Sequence, residues 1–438
     1  MVCMAAGGLR VSQFWRMPIP ILKATTKSHE RRFTRRSEPV SIAGRARRSL
    51  AALGMCCVTA SVAAEPTGAS TNFSTRIFTS DGWPTDKSFF PIAVWLQNPN
   101  NAQRYKAAGF NLYVGLWQRP TIPQLDQLQR ANIAVFCEQN QVALENKNNP
   151  IIAGWMHGDE PDNAQSLGNG KGYGPPIPPA TILRDYQRLH SADPSRPVML
   201  NLGQGVAWDG WHGRGVRSNH PEDYPQYLKG CDIVSFDIYP VVHDSPEVAG
   251  RLEFVARGVE RLAAWTHGQK PVWTCIECTH IGNPDAKATP QQVRAEVWMA
   301  LIRGARGLIY FVHQFKPAFR EAALLDDPEM LAAVTDLNRE IRELVPALNG
   351  PTIENRLTVQ SSDSPERVAA LVKRYGDTVY IFAVNLLNHP ASATFTLRQM
   401  DSSTEAEVLA ESRRVPIHGG QFADEFAPYA VHLYQISR

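Results

Sequence analysis

Phe110-Asn111-Leu112-Tyr113-Val114-Gly115-Leu116-Trp117, a helical stretch from Ile122 to Ala131, and then Ile133 to Cys137 decide the fold of this chain. Two short runs rich in β-branched and aromatic residues flank one amphipathic segment, and neither run alternates apolar with polar residues. A strand that is apolar throughout is buried on both faces, the condition of a parallel sheet covered by helices. The same beat extends both ways. Upstream lie a run from Phe89 to Leu96 and a short helix from Asn101 to Ala108. Downstream come strands at Ile151–Met156, Pro197–Leu202, Cys231–Ile238, Pro271–Ile276 and Gly307–Val312, with helices expected at Ala180–His190, Val248–Thr266 and Pro290–Gly304. Eight strands with crossovers, spread over about 260 residues, define an α/β fold of the (β/α)8 TIM-barrel type. A doubly wound open sheet is the structural rival, and no glycine-rich phosphate turn follows the first strand to support it.

After a helix at Pro328–Leu348 the pattern changes. Val368–Tyr375, a Gly376-Asp377 turn and Thr378–Asn385 read as a β-hairpin, and Ala391–Leu397 and Tyr429–Ile436 follow with no helix between. An antiparallel β-sandwich is expected there. The expected organisation is an N-terminal extension and signal peptide over 1–64, a catalytic barrel over 65–348 and an accessory sandwich over 349–438.

The net charge of +3 conceals an asymmetry. Residues 1–48 hold eleven Lys and Arg against Glu30 and Glu38, which leaves 34 basic and 40 acidic residues downstream. The folded body is mildly acidic, so nothing predicts a nucleic-acid partner. Arg45, Arg47 and Arg48 precede the apolar stretch Ser49 to Ala64, which carries small residues at its end. A basic segment, a short apolar core and small residues form a secretory signal, and export to the periplasm or exterior is the expectation. No run is long enough to span a bilayer. Of the cysteines beyond that segment, Cys137, Cys231, Cys275 and Cys278, the last two have C-x-x-C spacing within an apolar strand, and all four are expected to be buried free thiols.

Chemistry in a barrel sits at the carboxyl ends of its strands. The fourth strand ends Gly158-Asp159-Glu160-Pro161-Asp162, and the seventh runs Trp273-Thr274-Cys275-Ile276-Glu277-Cys278. Glu277 interrupts an apolar run, where a carboxylate costs several kcal/mol unless a partner or a function compensates. A structural carboxylate paired with Arg303 or Arg306 is the alternative. Two carboxyls about 5–5.5 Å apart suffice for a retaining glycosidase.

The chain resembles glycoside hydrolases of clan A over roughly residues 88–345. The resemblance implies a retaining double-displacement mechanism on β-linked poly- or oligosaccharide, with Glu160 as acid/base, Glu277 as nucleophile and no cofactor. It also implies that Tyr239, in Phe236-Asp237-Ile238-Tyr239-Pro240, touches the nucleophile. Asp159 departs from the clan, which usually has Asn before the acid/base. Sugars present apolar C–H faces ringed by hydroxyls, so aromatic platforms and polar ligands are sought near strand ends. Trp95, Trp117, Trp208 and Trp211 are the candidate platforms, and Gln139, Asn201, His280 and His313 the candidate hydroxyl ligands. Two other functions remain open: a non-catalytic carbohydrate-binding barrel, and a metal-dependent hydrolase built on His157, Asp159 and Glu160. Oligomeric state is not legible.

Overall fold

A computed structural model describes residues 76–353, 356–362, 367–398 and 404–437. The expected signal segment and Cys3, Cys56 and Cys57 lie outside the described residues. Eight parallel strands close into a barrel in chain order: β1 Ile92–Gln97, β2 Leu112–Leu116, β3 Ala134–Cys137, β4 Ile152–Met156, β5 Val198–Leu202, β6 Ile233–Phe236, β7 Val272–Glu277 and β8 Gly307–Phe311. The ring is sealed by β1 on β8, with Ala93 opposite Ile309. Every residue of every barrel strand is buried. That is why the strands read as continuous apolar runs.

The helices among the described residues are α1 Ala102–Ala107, α2 Ile122–Ala131, α3 Gln141–Glu145, α4 Pro179–Ala192, α5 Tyr224–Tyr227, α6 Glu253–Trp265, α7 Pro290–Ile302 and α8 Pro328–Leu348. Their ends follow local chemistry. Proline occupies the first turn of α2, where its missing N–H costs nothing, and Asn132 stops the helix in the left-handed region at φ 52°. Thr289 and Gln292 form a reciprocal capping box at the start of α7, and the Asp327 side chain accepts from the Met330 amide to start α8.

Alternate strand residues fill the inside of the ring: Ala93 and Trp95, Leu112 and Val114, Ala134 and Phe136, Met199, Ile233, Trp273 and Cys275, Ile309 and Phe311. Phe78 joins them from outside the strands, meeting Phe89, Phe136 and Trp273 at ring-centroid distances of 5.7, 5.4 and 5.9 Å. Gly154 makes room for this filling, since a Cβ there would sit 2.0 Å from Phe136. The described cysteines are all free and buried, as expected. Cys275 packs inside the ring and Cys278 in the outer cluster, so the C-x-x-C spacing brings no pair of thiols together.

Beyond α8, two antiparallel sheets form the sandwich. One has the order β10-β11-β16-β13-β14 (Val368–Tyr375, Thr378–Asn385, Val431–Ile436, Thr404–Val408, Arg413–Ile417) and the other β15-β12-β9 (Gln421–Phe426, Ala391–Leu397, Leu357–Ser361). Trp298 of α7 packs on Phe382 of β11 with centroids 5.1 Å apart. Because the sandwich covers α7 on the side away from the barrel, that helix has hardly any solvent face.

Candidate active site

Three acids leave β4 together and take different partners. Asp159 is half-buried and accepts from Asn201 Nδ2 at 2.9 Å; Asn201 in turn accepts from the Ser235 hydroxyl at 2.7 Å. Asn201 and Ser235 are register partners on β5 and β6, so the chain of bonds crosses three strands on the inner face. Asp162 is fully buried, accepting from the Gly203 amide at 2.9 Å and the Tyr224 hydroxyl at 3.1 Å. It orders the loop after β5 and has no solvent access. Glu160 lies between them, half-buried, with its backbone in the left-handed region at φ 41°. A non-glycine residue held there stores strain, which is concentrated at functional sites.

The Glu160 carboxyl meets Asp237, the residue that follows β6. Burial, the Asp237 carboxylate and the Asp159 and Asp162 charges all push Glu160 well above the usual carboxylate range. Burial and the Asp159 charge raise Asp237 to about 7, while hydrogen bonding from Glu160 opposes the rise. Above about pH 7 the pair therefore keeps one proton, carried by Glu160 and offered to Asp237. Both carboxyls, and Tyr239, are partly open to solvent.

Glu277 is placed differently. It is fully buried at the end of β7, level with Phe311 on β8. Its two carboxylate oxygens accept from the backbone amides of Val241 at 2.6 Å and Val242 at 3.1 Å, and its third neighbour is the carboxyl of Glu296 on α7. Neither candidate arginine pairs with it: Arg303 bonds Glu260 at 3.3 Å, and Arg306 bonds the Leu348 carbonyl at 3.3 Å. The structure thus brings Glu160 to Asp237 and Glu277 to Glu296, each glutamate with a carboxyl partner of its own.

The other candidates divide by exposure. Tyr239 lies 5.1 Å from Phe311, and from there aromatic rings run outward over the loop after β8. Phe311 meets His313 at 5.1 Å, His313 stacks on Phe315 at 6.0 Å, Phe315 meets Phe319 at 5.8 Å, and Phe319 meets Trp117 at 6.4 Å. Trp117 is half-exposed and Phe319 is 46% exposed, so the outer end of this arc is an accessible aromatic surface. Trp95 and His313 are buried within the mouth. Trp95 Nε1, His313 Nδ1, the Tyr239 hydroxyl and one Asp237 oxygen lack a hydrogen-bond partner among the described residues. Burial drops the His313 imidazole to about 4, so it is neutral.

Trp208 and Trp211 were expected as platforms, but both are buried; their indoles bond Glu247 at 3.0 Å and Asn163 at 2.8 Å and pack the long loop after β5. Gln139 bonds the Leu189 carbonyl on α4 at 2.8 Å, and His280 the Ala286 carbonyl at 2.9 Å. His157 points away from Asp159 and Glu160, its Nε2 bonding the Gly230 carbonyl at 2.7 Å. Among the described residues no group of three or more His, Cys, Asp or Glu is arranged to hold a metal ion. Asp237 is the residue the sequence reading quoted without assigning a role. The signal available was an acid directly ending an apolar strand, the criterion that had singled out Glu160.

No family model matches the sequence, and neither does any curated protein. Among solved structures, the chain is similar to an α-amylase from Geobacillus thermoleovorans complexed with acarbose, at 11% identity and a TM-score of 0.49 over 82% of this chain and 99% of that one. It is also similar to a glycoside hydrolase family 30 subfamily 8 xylanase from Clostridium acetobutylicum, at 11% identity and a TM-score of 0.42 over 80% and 96%. A putative α-galactosidase from Bacteroides fragilis matches at 10% identity and a TM-score of 0.45 over 80% of each chain. At such identities and scores these likenesses assign no substrate and no residue role.

Proposed function

We propose that the protein is a glycoside hydrolase whose chemistry is run by Glu160 and Asp237 at the carboxyl ends of β4 and β6. The observation that carries this reading is the half-buried pair of carboxyls at these two strand ends, in contact with each other, whose surroundings favour a proton on Glu160 over Asp237. Acid and nucleophile require opposite protonation at one pH, and a pair whose environments drive their proton affinities apart supplies that. Glu160 delivers its proton to the glycosidic oxygen as the bond to the anomeric carbon breaks. The Asp237 carboxylate attacks that carbon and forms a glycosyl ester. Water, deprotonated by the now anionic Glu160, then attacks the same carbon and Asp237 leaves as carboxylate. Carboxyls in hydrogen-bond contact lie at about 2.5–3 Å between oxygens. Substrate entry must part them by a few ångströms to reach the roughly 5–5.5 Å of a retaining enzyme. The wider spacing of an inverting enzyme, which admits a water, is further from this arrangement.

The unpartnered polar atoms of Trp95, Tyr239 and His313 beside an exposed aromatic arc support a ligand with hydroxyls on its rim and an apolar face, the chemistry of a pyranose. A β-linked poly- or oligosaccharide is the substrate we propose, and the basic-then-apolar N-terminal sequence supports a proposal of export. The test is a panel of α- and β-aryl glycosides with product stereochemistry followed by NMR. The parent should cleave at least one substrate with retention, and Glu160→Gln and Asp237→Asn should each lose on the order of 10²–10⁴ in kcat/KM. Sugar binding without turnover by the parent would instead establish a carbohydrate-binding barrel.

A further inference from the structure

Glu277 is the most buried acid of the strand ends, and its bonds lead back to the site. Val241 and Val242, whose amides it accepts, stand two and three residues beyond Tyr239 in the segment that leaves β6. That segment is also held by the Asp237 amide donating to the Leu202 carbonyl at 3.1 Å, by Pro240 accepting from the Gly250 amide at 2.9 Å, by Val242 accepting from Asn283 Nδ2 at 3.2 Å and by the His243 ring on Gln204 at 2.8 Å. Pro240 has no N–H to contribute. Among the described residues, the Glu277 carboxylate is the acceptor that both valine amides share. Behind it stands Glu296 of α7, fully buried, with neither carboxyl oxygen meeting any other hydrogen-bond partner. Two buried carboxylates in contact cannot both stay charged, so Glu296 keeps a proton and turns it to Glu277. A neutral donor on one side and two amides on the other give the two oxygens of Glu277 three donors.

We infer that Glu277 is a positioning residue rather than the nucleophile, and that the Glu296–Glu277 pair clamps the loop after β6 so that Tyr239 and Asp237 present themselves to Glu160. The inference rests on the assignment of Asp237 proposed above, and it concerns which acid that reaction uses. A nucleophile must bring a carboxylate oxygen to the anomeric carbon; Glu277 would have to release its amides and reach a solvent-accessible position first. Asp237 already occupies one.

Two measurements separate the clamp from the activity. Hydrogen exchange followed by mass spectrometry on the full chain reads the peptide spanning Asp237 to Asp244 in the parent, in Glu277→Gln and in Glu296→Gln. In Glu277→Gln the amide faces a donor with a donor, and exchange of this peptide should accelerate about tenfold or more while peptides from β2 and β3 stay unchanged. In Glu296→Gln the side chain still donates to Glu277, and protection should persist. Unchanged exchange in Glu277→Gln overturns the clamp whatever the enzyme does. If Glu277→Gln does not fold, Glu277→Asp, which shortens the clamp by one methylene, replaces it with the same expectation.

The second measurement is labelling with an activated 2-deoxy-2-fluoro glycoside matched to whichever aryl glycoside the parent cleaves. The ester should map to Asp237, and sodium azide should fail to restore turnover to Glu277→Ala. A label on Glu277, or azide rescue of Glu277→Ala, makes Glu277 the nucleophile and overturns the inference. If the parent cleaves no glycoside, the glycosidase reading fails, and the exchange experiment still decides the clamp.

Discussion

Replacing Glu296 by glutamine should remove one proton from the pH dependence of stability. Glu296 and Glu277 are both fully buried and in contact, and the pair retains a proton that Glu296 holds well above the usual carboxylate range because burial and the Glu277 charge both disfavour ionisation. In the unfolded chain a glutamate ionises near pH 4.3. Between about pH 5 and pH 7 the native state therefore carries one proton that the unfolded state has released, and stability falls by about 1.4 kcal/mol per pH unit on this account. The sign follows from a folded-state proton affinity that is raised: the contribution is complete below the unfolded glutamate value and is lost as pH rises. Glutamine supplies the same donor to Glu277 with no proton to lose. The stability of Glu296→Gln minus that of the parent should thus grow by about 2–3 kcal/mol from pH 5 to pH 7. The Glu160–Asp237 pair and Glu277, which burial raises to about 7, titrate in both proteins and cancel in the difference. Guanidinium unfolding followed by tryptophan fluorescence at pH 5, 6 and 7 measures it. Parallel stability curves for the two proteins would show that Glu296 retains no proton and would remove the basis for the pairing.

Other outcomes follow from the same geometry. The acidic limb of kcat/KM should fall at about pH 7, where Asp237 must lose its proton to act, rather than near the ordinary aspartate range; the alkaline limb, set by the still higher Glu160, lies above it. Asp159→Asn keeps the acceptor for Asn201 and deletes a charge that raises Asp237, so the acidic limb should move to lower pH; a limb that stays in place refutes the electrostatic account. Trp117→Ala should raise KM by about two- to tenfold with little change in kcat, since loss of one aromatic contact is worth about 0.5–1.5 kcal/mol. Gly154→Ala places a methyl 2.0 Å from the Phe136 ring in a filled barrel and should destabilise by about 1–3 kcal/mol, read as a lowered unfolding midpoint.

The barrel was legible because its strands are buried on both faces, a condition that writes itself into the sequence as unbroken apolar runs. Helices α2 and α8 fall where their proline, aspartate and asparagine signals put them. The reading erred where polar residues end or line strands. It extended β6 to Cys231–Ile238, whereas pairing covers Ile233–Phe236; Asp232 instead bonds the Val198 amide at 2.8 Å and Tyr186 at 2.8 Å. It missed β9, β13, β14 and β15, which are short and polar on their outer faces, as at Glu405 and Arg414, and in β15 Asp424 interrupts the inward face between Phe422 and Phe426. Trp208 and Trp211 misled for a related reason: a glycine-rich loop with indoles looks like a binding surface, yet these indoles are the loop's own core. Glu296 could not have been singled out from α7 alone, since a glutamate on a helix reads as solvated. In the fold Glu296 turns inward against Glu277 of β7, while Trp298, two residues on, meets Phe382 of the sandwich.

Raised proton affinity by itself does not locate the chemistry in this molecule, because two carboxyl pairs share that property. Burial raises all four groups, and in each pair one member donates and the other accepts. What separates the pairs is the disposition of the remaining lone pairs and donors. Around Glu277 both oxygens are committed to backbone amides and the residue has no solvent exposure, so its charge is spent on holding the chain. Around Glu160 and Asp237 an Asp237 oxygen, the Tyr239 hydroxyl and Trp95 Nε1 are uncommitted, and both acids can be reached from solvent. Uncommitted polar atoms carry a desolvation cost of about 1–3 kcal/mol each unless something binds them. A fold that keeps several of these together beside a strained glutamate gains from a polar ligand at that place, whereas the Glu277–Glu296 pair has no solvent exposure through which one could reach it.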